Sequence, residues 1–275
     1  MKKLILTSFA SVITSLTFGQ TDTIFSNNER ILCSVKEITP EAVKFSYPDE
    51  ELINTVYKNT VQKIVFKSGR IQTFAESTSY KRISSVDDFE NVTLTKVESE
   101  IKGLFKLGDV SSKAKGTTTL SNQERVKERA YRKMKIVAAM MGANIVYLTD
   151  QRSDGNQVGT KYQAGKSAET SLSGVAYTNQ LPNIEEFKNT IGERRSFRTV
   201  EMSKLWSSDS DMTKTYEEGS FVINSIQNEN GLIMVNGDLQ DQSKYHSFRV
   251  VSFDNKYFNI YYEDKSTSYN IKVRI

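Results

Sequence analysis

Hydrophobic and polar positions alternate with a period of two along most of this chain, and with a helical period in only two places. Between residues 22 and 74, β-forming residues alternate or cluster at 22–25, 31–38, 42–47, 52–58, 61–67 and 70–74, separated by turn residues. Lys67-Ser68-Gly69-Arg70 reads as a tight hairpin in which Gly69 supplies the positive φ. These strands predict a small all-β module, either a barrel or a curled sheet. The character changes near residue 88. Residues 92–97 and 103–110 alternate as strands, and 111–116 is polar and loosely patterned. The strongest helical signal follows. Ser121 and Glu124 have capping-box spacing, and Val126, Ala130, Met134, Val137, Ala138 and Met141 recur at steps of three and four as one apolar stripe. Gly142 is placed to close that helix. Residues 143–149 and 172–177 read as strands around a long loop, 150–165. Pro182 opens a short helix at 183–191, stopped by Gly192. Period two then returns at 196–201, 220–227, 231–235, 247–253, 256–263 and 268–275, with Asn230-Gly231 and Asp254-Asn255 as hairpin turns. The pattern predicts an α+β protein. A central sheet with one long helix (81–195) is flanked by two small all-β modules (21–80 and 196–275).

Residues 1–20 carry a different signal. Met1-Lys2-Lys3 is a short basic start, Leu4 to Phe18 is apolar but thinned by Ser and Thr, and Thr17 and Gly19 are the small residues a signal peptidase requires. This predicts a cleaved signal peptide, with the mature chain starting at Gln20 or Thr21. The run is too short and hydroxylated to stay in a bilayer, and no later stretch approaches the ~20 apolar residues of a spanning helix. A lipid anchor would need a cysteine just after the apolar run, and the single cysteine is Cys33. The expectation is an exported protein without a transmembrane segment: periplasmic, outer-membrane associated or secreted. The formal charge of +4 falls to +2 once Lys2 and Lys3 leave with the leader, which gives no electrostatic reason to expect nucleic acid. One cysteine excludes an intramolecular disulfide. Cys33 shares strand parity with Ile31 and Val35 and reads as a small buried residue.

Two segments resemble known modules. Asp22-x-Ile24, Ile31-x-x-x-Val35-x-Glu37-Ile38, Val43-x-Phe45 and Ile64-x-Phe66-x-x-Gly69 resemble a module common at the N-terminus of Bacteroidetes-type exported proteins, with Asn27-Asn28 where a Gly is usual. Ala138-Ala139-Met140-Met141-Gly142-Ala143-Asn144, running into an apolar strand and later Ser173-Gly174-Val175-Ala176, is similar to small bacterial envelope modules. These include the outer-membrane stress-sensor lipoprotein of enterobacteria, whose cross-linking cysteines are missing here. The resemblances imply export and an envelope setting, not an activity. The C-terminal stretch lacks the Gly-x-Tyr pattern and Lys-rich ending of a type IX sorting domain and reads as a structural β-domain.

Candidate chemistry is sparse. His246 is the only histidine, so a Ser-His-Asp triad would have to use it, and no Gly-x-Ser-x-Gly elbow supplies a nucleophile. One His and one Cys leave a conventional zinc site without ligands. Ser112-Lys113-Ala114-Lys115 has bare Ser-x-x-Lys spacing, but no Lys-Thr-Gly accompanies it and Gly116 opposes a helix there. Asp150, Asp154 and Gly155 fit three places of a calcium loop, yet Arg152 and Lys161 occupy places that need oxygen ligands. Asp209, Asp211 and Thr213 lack the turn Gly. No catalytic, metal or cofactor residue is assigned. Arg125, Arg129, Arg132 and Lys133, with Lys135 nearby, are expected to form a basic helix face opposite the apolar stripe. Arg194, Arg195 and Arg198 form a second basic cluster. The expected role is non-enzymatic binding or scaffolding through protein surface, with an envelope protein or a glycan as partner and the oligomeric state open. One alternative is a small-ligand or glycan binder that stacks sugar on Tyr257, Tyr261 and Tyr262 beside Phe258. A second is a hydrolase using paired acids such as Glu185-Glu186 or Glu217-Glu218.

Overall fold

The computed structural model describes residues 21–26, 29–74, 80–162, 164–209, 211–216, 218–240 and 244–275. The expected signal peptide, the Asn27-Asn28 turn and Glu217 lie outside these residues. Strands β1 (Asp22–Ser26), β2 (Glu29–Ile38), β3 (Ala42–Ser46), β4 (Asn54–Tyr57), β5 (Val61–Val65) and β6 (Ile71–Thr73) form an antiparallel sheet ordered β4-β3-β2-β1-β5-β6. One face buries Ile24, Cys33, Val43, Phe45, Val61 and Ile64, as the alternation requires. Asp22 is buried at the start of β1. Its carboxylate accepts from the backbone N–H of Val35 and of Lys67, both at 2.8 Å, and so ties the bulge of β2 to the turn after β5.

The middle of the chain contributes β7 (Thr93–Thr95), β8 (Phe105–Lys115), α1 (Gln123–Met140), β9 (Ile145–Asp154) and β10 (Glu169–Thr178), with sheet order β7-β9-β10-β8. Three expectations shift here. Residues 111–115 continue β8, because Ser112 and Ala114 turn inward between exposed Ser111, Lys113 and Lys115 and the Ser112 hydroxyl donates to the Ala130 carbonyl at 2.8 Å. Most of 150–154, read as loop, extends β9 against β10 as far as the Asp154–Glu169 pair. The α1 cap moves one residue: Asn122 accepts from Arg125 N–H, while the Ser121 hydroxyl accepts from Thr118 N–H and closes the preceding turn.

The remainder folds as α2 (Ile184–Ile191), β11 (Ser196–Trp206), β12 (Thr213–Thr215), β13 (Gly219–Glu229), β14 (Leu232–Leu239), β15 (Ser247–Phe253), β16 (Tyr257–Asp264) and β17 (Thr267–Arg274). β11 pairs with both β13 and β17, closing six antiparallel strands into a barrel, and β12 adds to the far half of β11. The interior is filled by Phe197, Phe221, Phe248, Phe258, Ile260 and Ile271 among others, and α2 inserts Phe187 and Ile191 into the same cluster. Asn230-Gly231 forms the expected β13–β14 turn, both residues at positive φ (53° and 88°).

The α+β expectation is therefore corrected. The chain is mainly β, 51% strand against 16% helix, in three sheets that include the closed barrel. Barrel closure joins β11 to β17, some 70 residues apart in the chain, and strand ends such as Ser111–Lys115 are too polar to alternate visibly.

The last turns of α1 are buried on all sides. Ile136, Ala139 and Met140, off the expected stripe, are 0–2% exposed. Leu205 and Tyr261 of the barrel belong to the same core as α1, as does partly buried Val251. Two barrel side chains finish the helix: Asn270 donates to the Met140 carbonyl at 2.9 Å, and Arg249 to the Met141 carbonyl at 2.8 Å and the Leu107 carbonyl at 2.9 Å. A cation at a helix C-terminus meets the negative end of the macrodipole. Burial pushes the Arg249 guanidinium below its ordinary pKa, with Tyr261 and Glu263 opposing. Gly142 (φ +79°) is needed where the chain leaves α1, since a Cβ there would sit 3.1 Å from that of Val251.

Candidate functional site

The exposed side of α1 and the 117–121 loop enclose a groove of about 1000 Å³. Arg125, Arg129, Arg132 and Lys135 line it at helical spacing, together with the acids Glu90, beside Arg132 and Lys135, and Glu128. Two of these cations are already satisfied. Arg132 meets Asp211 at 3.1 Å and Glu90 at 3.4 Å and lies over the Phe89 ring at 4.4 Å; Lys135 meets Glu90 at 3.3 Å. Arg129 donates to the Lys115 carbonyl at 2.8 Å. Arg125 is exposed and its guanidinium has no partner among the described residues. Uncommitted positive charge is thus concentrated near the N-terminus of α1, where the macrodipole has the same sign.

Lys133 does not belong to this face. It is 3% exposed, and its ammonium donates to the carbonyls of Trp206, Ser207 and Asp209 at 3.0, 2.5 and 2.6 Å. Burial pushes its pKa down and the Asp209 charge pulls it back up. A signal for this was present: Lys133 falls three residues after Ala130 and four before Val137, inside the apolar stripe. It is a latch between α1 and the segment after β11.

The second cluster is exposed and loosely held. Arg195 donates to the Arg194 carbonyl at 3.1 Å, Arg198 pairs with Glu218 at 3.2 Å, and Arg194 has no side-chain partner among the described residues. The stacking expectation fails at two of its three tyrosines. Tyr261 points out of the barrel into the α1 core and Tyr262 points into the barrel, 7% and 5% exposed, so neither offers a face to a sugar. Tyr262 is stacked on Tyr269 at 4.6 Å and 2°. Tyr257 is half-buried under the Lys272 ammonium at 4.4 Å.

The remaining motifs resolve structurally. Ser112 and Lys115 lie three apart on a strand and face opposite ways, so the Ser-x-x-Lys spacing builds nothing. His246 is exposed and its Nδ1 lies 3.0 Å from Asp238. Glu185 and Glu186 stand exposed in the first turn of α2, capped by Asn183. Among the described residues, no cluster of three His, Cys, Asp or Glu could hold a metal ion. Cys33 is fully buried, and desolvation first, then Asp22, raises its thiol pKa to about 11.

Sequence reading missed one site entirely. A polar crevice of about 820 Å³ opens where the three sheets meet, lined from the N-terminal sheet by Tyr57, from the middle by Phe105 and Asn179, and from the barrel by Asn228 and Phe253. No periodicity marks it, because its walls come from segments far apart in the chain. Comparison with protein-family models, curated proteins and solved structures finds no match to this chain. The resemblances drawn from the sequence therefore rest on the quoted residues alone.

Proposed function

We propose that this chain is an exported, non-enzymatic binding or scaffolding protein of a bacterial envelope, and that its contact surface is the Arg125–Arg129 end of the α1 groove. The observation that carries this reading is the division of charge along one helix face. Arg132 and Lys135 are neutralised within the molecule, whereas Arg125 and part of Arg129 are left facing open space. The fitting partner is an acidic segment of another envelope protein, drawn by charge and held by the two guanidiniums. Export and the envelope setting come from the leader and the motif resemblances.

The test pairs a direct measurement with capture. A fluorescent glutamate-rich peptide should bind the purified protein, weaken as salt rises, and lose most of its affinity to an Arg125→Glu/Arg129→Glu variant. Cross-linking in intact cells of the native host should recover an abundant envelope protein that the same variant fails to capture. Equal capture by both proteins, or a peptide affinity indifferent to the charge reversal, refutes this surface.

A further inference from the structure

The junction crevice is independent of the α1 groove, and its lining has a chemistry of its own. Three carboxamides present in it are oriented alike. Asn179 spends its Oδ1 on the Asn144 amide at 2.6 Å, Asn183 spends its Oδ1 capping α2 through Glu185 and Glu186 N–H at 2.9 and 3.0 Å, and Asn228 spends its Oδ1 on Gly231 N–H at 2.8 Å. In each case the NH₂ group is left without a partner among the described residues. The Asn183 and Asn228 oxygens fix a helix start and a turn, and the Asn179 oxygen is held by the Asn144 side chain, so each NH₂ is held in place by the fold. Behind them Asn144 is 2% exposed, and its own Oδ1 has no partner among the described residues.

The crevice walls are fixed from both sides. The Asn59 amide donates to the Glu100 and Lys102 carbonyls at 3.0 and 2.8 Å, and the Tyr57 ring packs so closely on Gly103 that a Cβ there would lie 2.5 Å from it. On the barrel side a Cβ at Gly231 would lie 2.8 Å from Leu181. Aromatic rings stand among the donors: Tyr57 and Phe105 are 38% and 42% exposed, and Phe253 is partly buried. One cation, Arg82, and one anion, Glu186, balance.

We propose that this crevice binds a neutral oligosaccharide. A sugar offers many oxygen acceptors to fixed NH₂ donors, an apolar C–H face to an aromatic ring, and no net charge to a lining whose charges cancel. The volume lies within the range of ligand sites, and junctions between folded units are where such sites concentrate. An acidic peptide, the partner assigned to α1, would meet only one cation here.

The test uses the mature full-length chain with two probes, a β-1,4-linked N-acetylglucosamine trimer and a neutral hexose trimer, and a galacturonic acid trimer as the charged comparison. Binding is measured by calorimetry and by ligand-observed NMR. Arg82→Ala and Phe105→Ala alter exposed side chains that anchor nothing among the described residues, so each should keep the wild-type melting temperature while weakening the neutral trimer by about tenfold. Saturable binding of a neutral trimer, reduced by both variants, supports the site. Absence of binding by both neutral probes up to about 10 mM overturns it, as does binding that neither variant changes or a preference for the charged trimer. None of these results bears on the Arg125→Glu/Arg129→Glu experiment.

Discussion

Adjacent residues on α1 make a sharp test of burial against exposure. Lys133 and Arg132 both reach the segment between β11 and β12, one through backbone carbonyls in the interior and the other through Asp211 at the surface. Lys133→Met keeps the aliphatic stem and removes the ammonium. Three carbonyls then lose a charged donor, and hydrogen bonds to charged groups contribute ~1.5–3 kcal/mol each. Against that sum stands relief from desolvating a buried cation, which costs several kcal/mol. The net expectation is destabilisation of about 2–4 kcal/mol. Arg132 is 41% exposed; its ion pairs are worth ~0–1 kcal/mol and its stacking on Phe89 ~0.5–1 kcal/mol. Arg132→Met should therefore cost about 1 kcal/mol. Urea denaturation at neutral pH separates the two, and the melting temperature should fall by about 6–12 °C for Lys133→Met. Amide exchange across β12 should accelerate in that variant first. If Lys133→Met costs no more than Arg132→Met, the buried latch is not what holds this segment.

Further substitutions follow from single observations. Cys33 should resist a thiol reagent at pH 8 in the folded protein and react at once in denaturant, because its pKa is raised to about 11. The folded state holds that proton more tightly than the unfolded chain, so the thiol's contribution to stability should be intact below pH 9 and decline between pH 9 and 11. Gly142→Ala should destabilise by about 2 kcal/mol or more, from positive φ and the clash with Val251, read as a shift in the urea midpoint. Tyr262→Phe should be neutral or stabilising by up to about 1 kcal/mol, since its hydroxyl is buried without a partner among the described residues; a loss beyond about 1 kcal/mol would mean that the hydroxyl is satisfied.

What the sequence revealed depends on how far apart the interacting residues lie. The α1 stripe, the Asn230-Gly231 turn and the alternation in β17 are local signals, and each corresponds to an observed element. Tyr261 and Tyr262 show the opposite case. Alternation says that one faces in and one faces out, but the outward face is covered by α1, more than a hundred residues earlier in the chain. Barrel closure and the junction crevice are likewise products of long-range pairing. The groove was half legible: the basic spacing marked the face, but only the positions of Glu90 and Asp211 show which cations remain uncommitted.

The two proposed sites lie toward opposite ends of one helix. Arg125 is in the first turn of α1, while Gly142 and Asn144, just past its end, line the crevice. Eighteen helical residues separate them by about 27 Å. The helix between them has its last five residues, Ile136 to Met140, buried, and the carbonyls of Met140 and Met141 are held by Asn270 and Arg249. A helix packed and bonded at its end in this way resists movement as a unit, and coupling requires two states that both ligands bias. The affinity of the glutamate-rich peptide should therefore change by no more than about twofold when a bound neutral trimer is at saturation, and the reverse by the same factor. A shift beyond about fivefold, the lower end of ordinary allosteric coupling, would show that α1 moves between its two packing surfaces. Independence instead describes a rigid connector that holds an acidic partner at one end and a glycan at the other, each without regard to the other's presence.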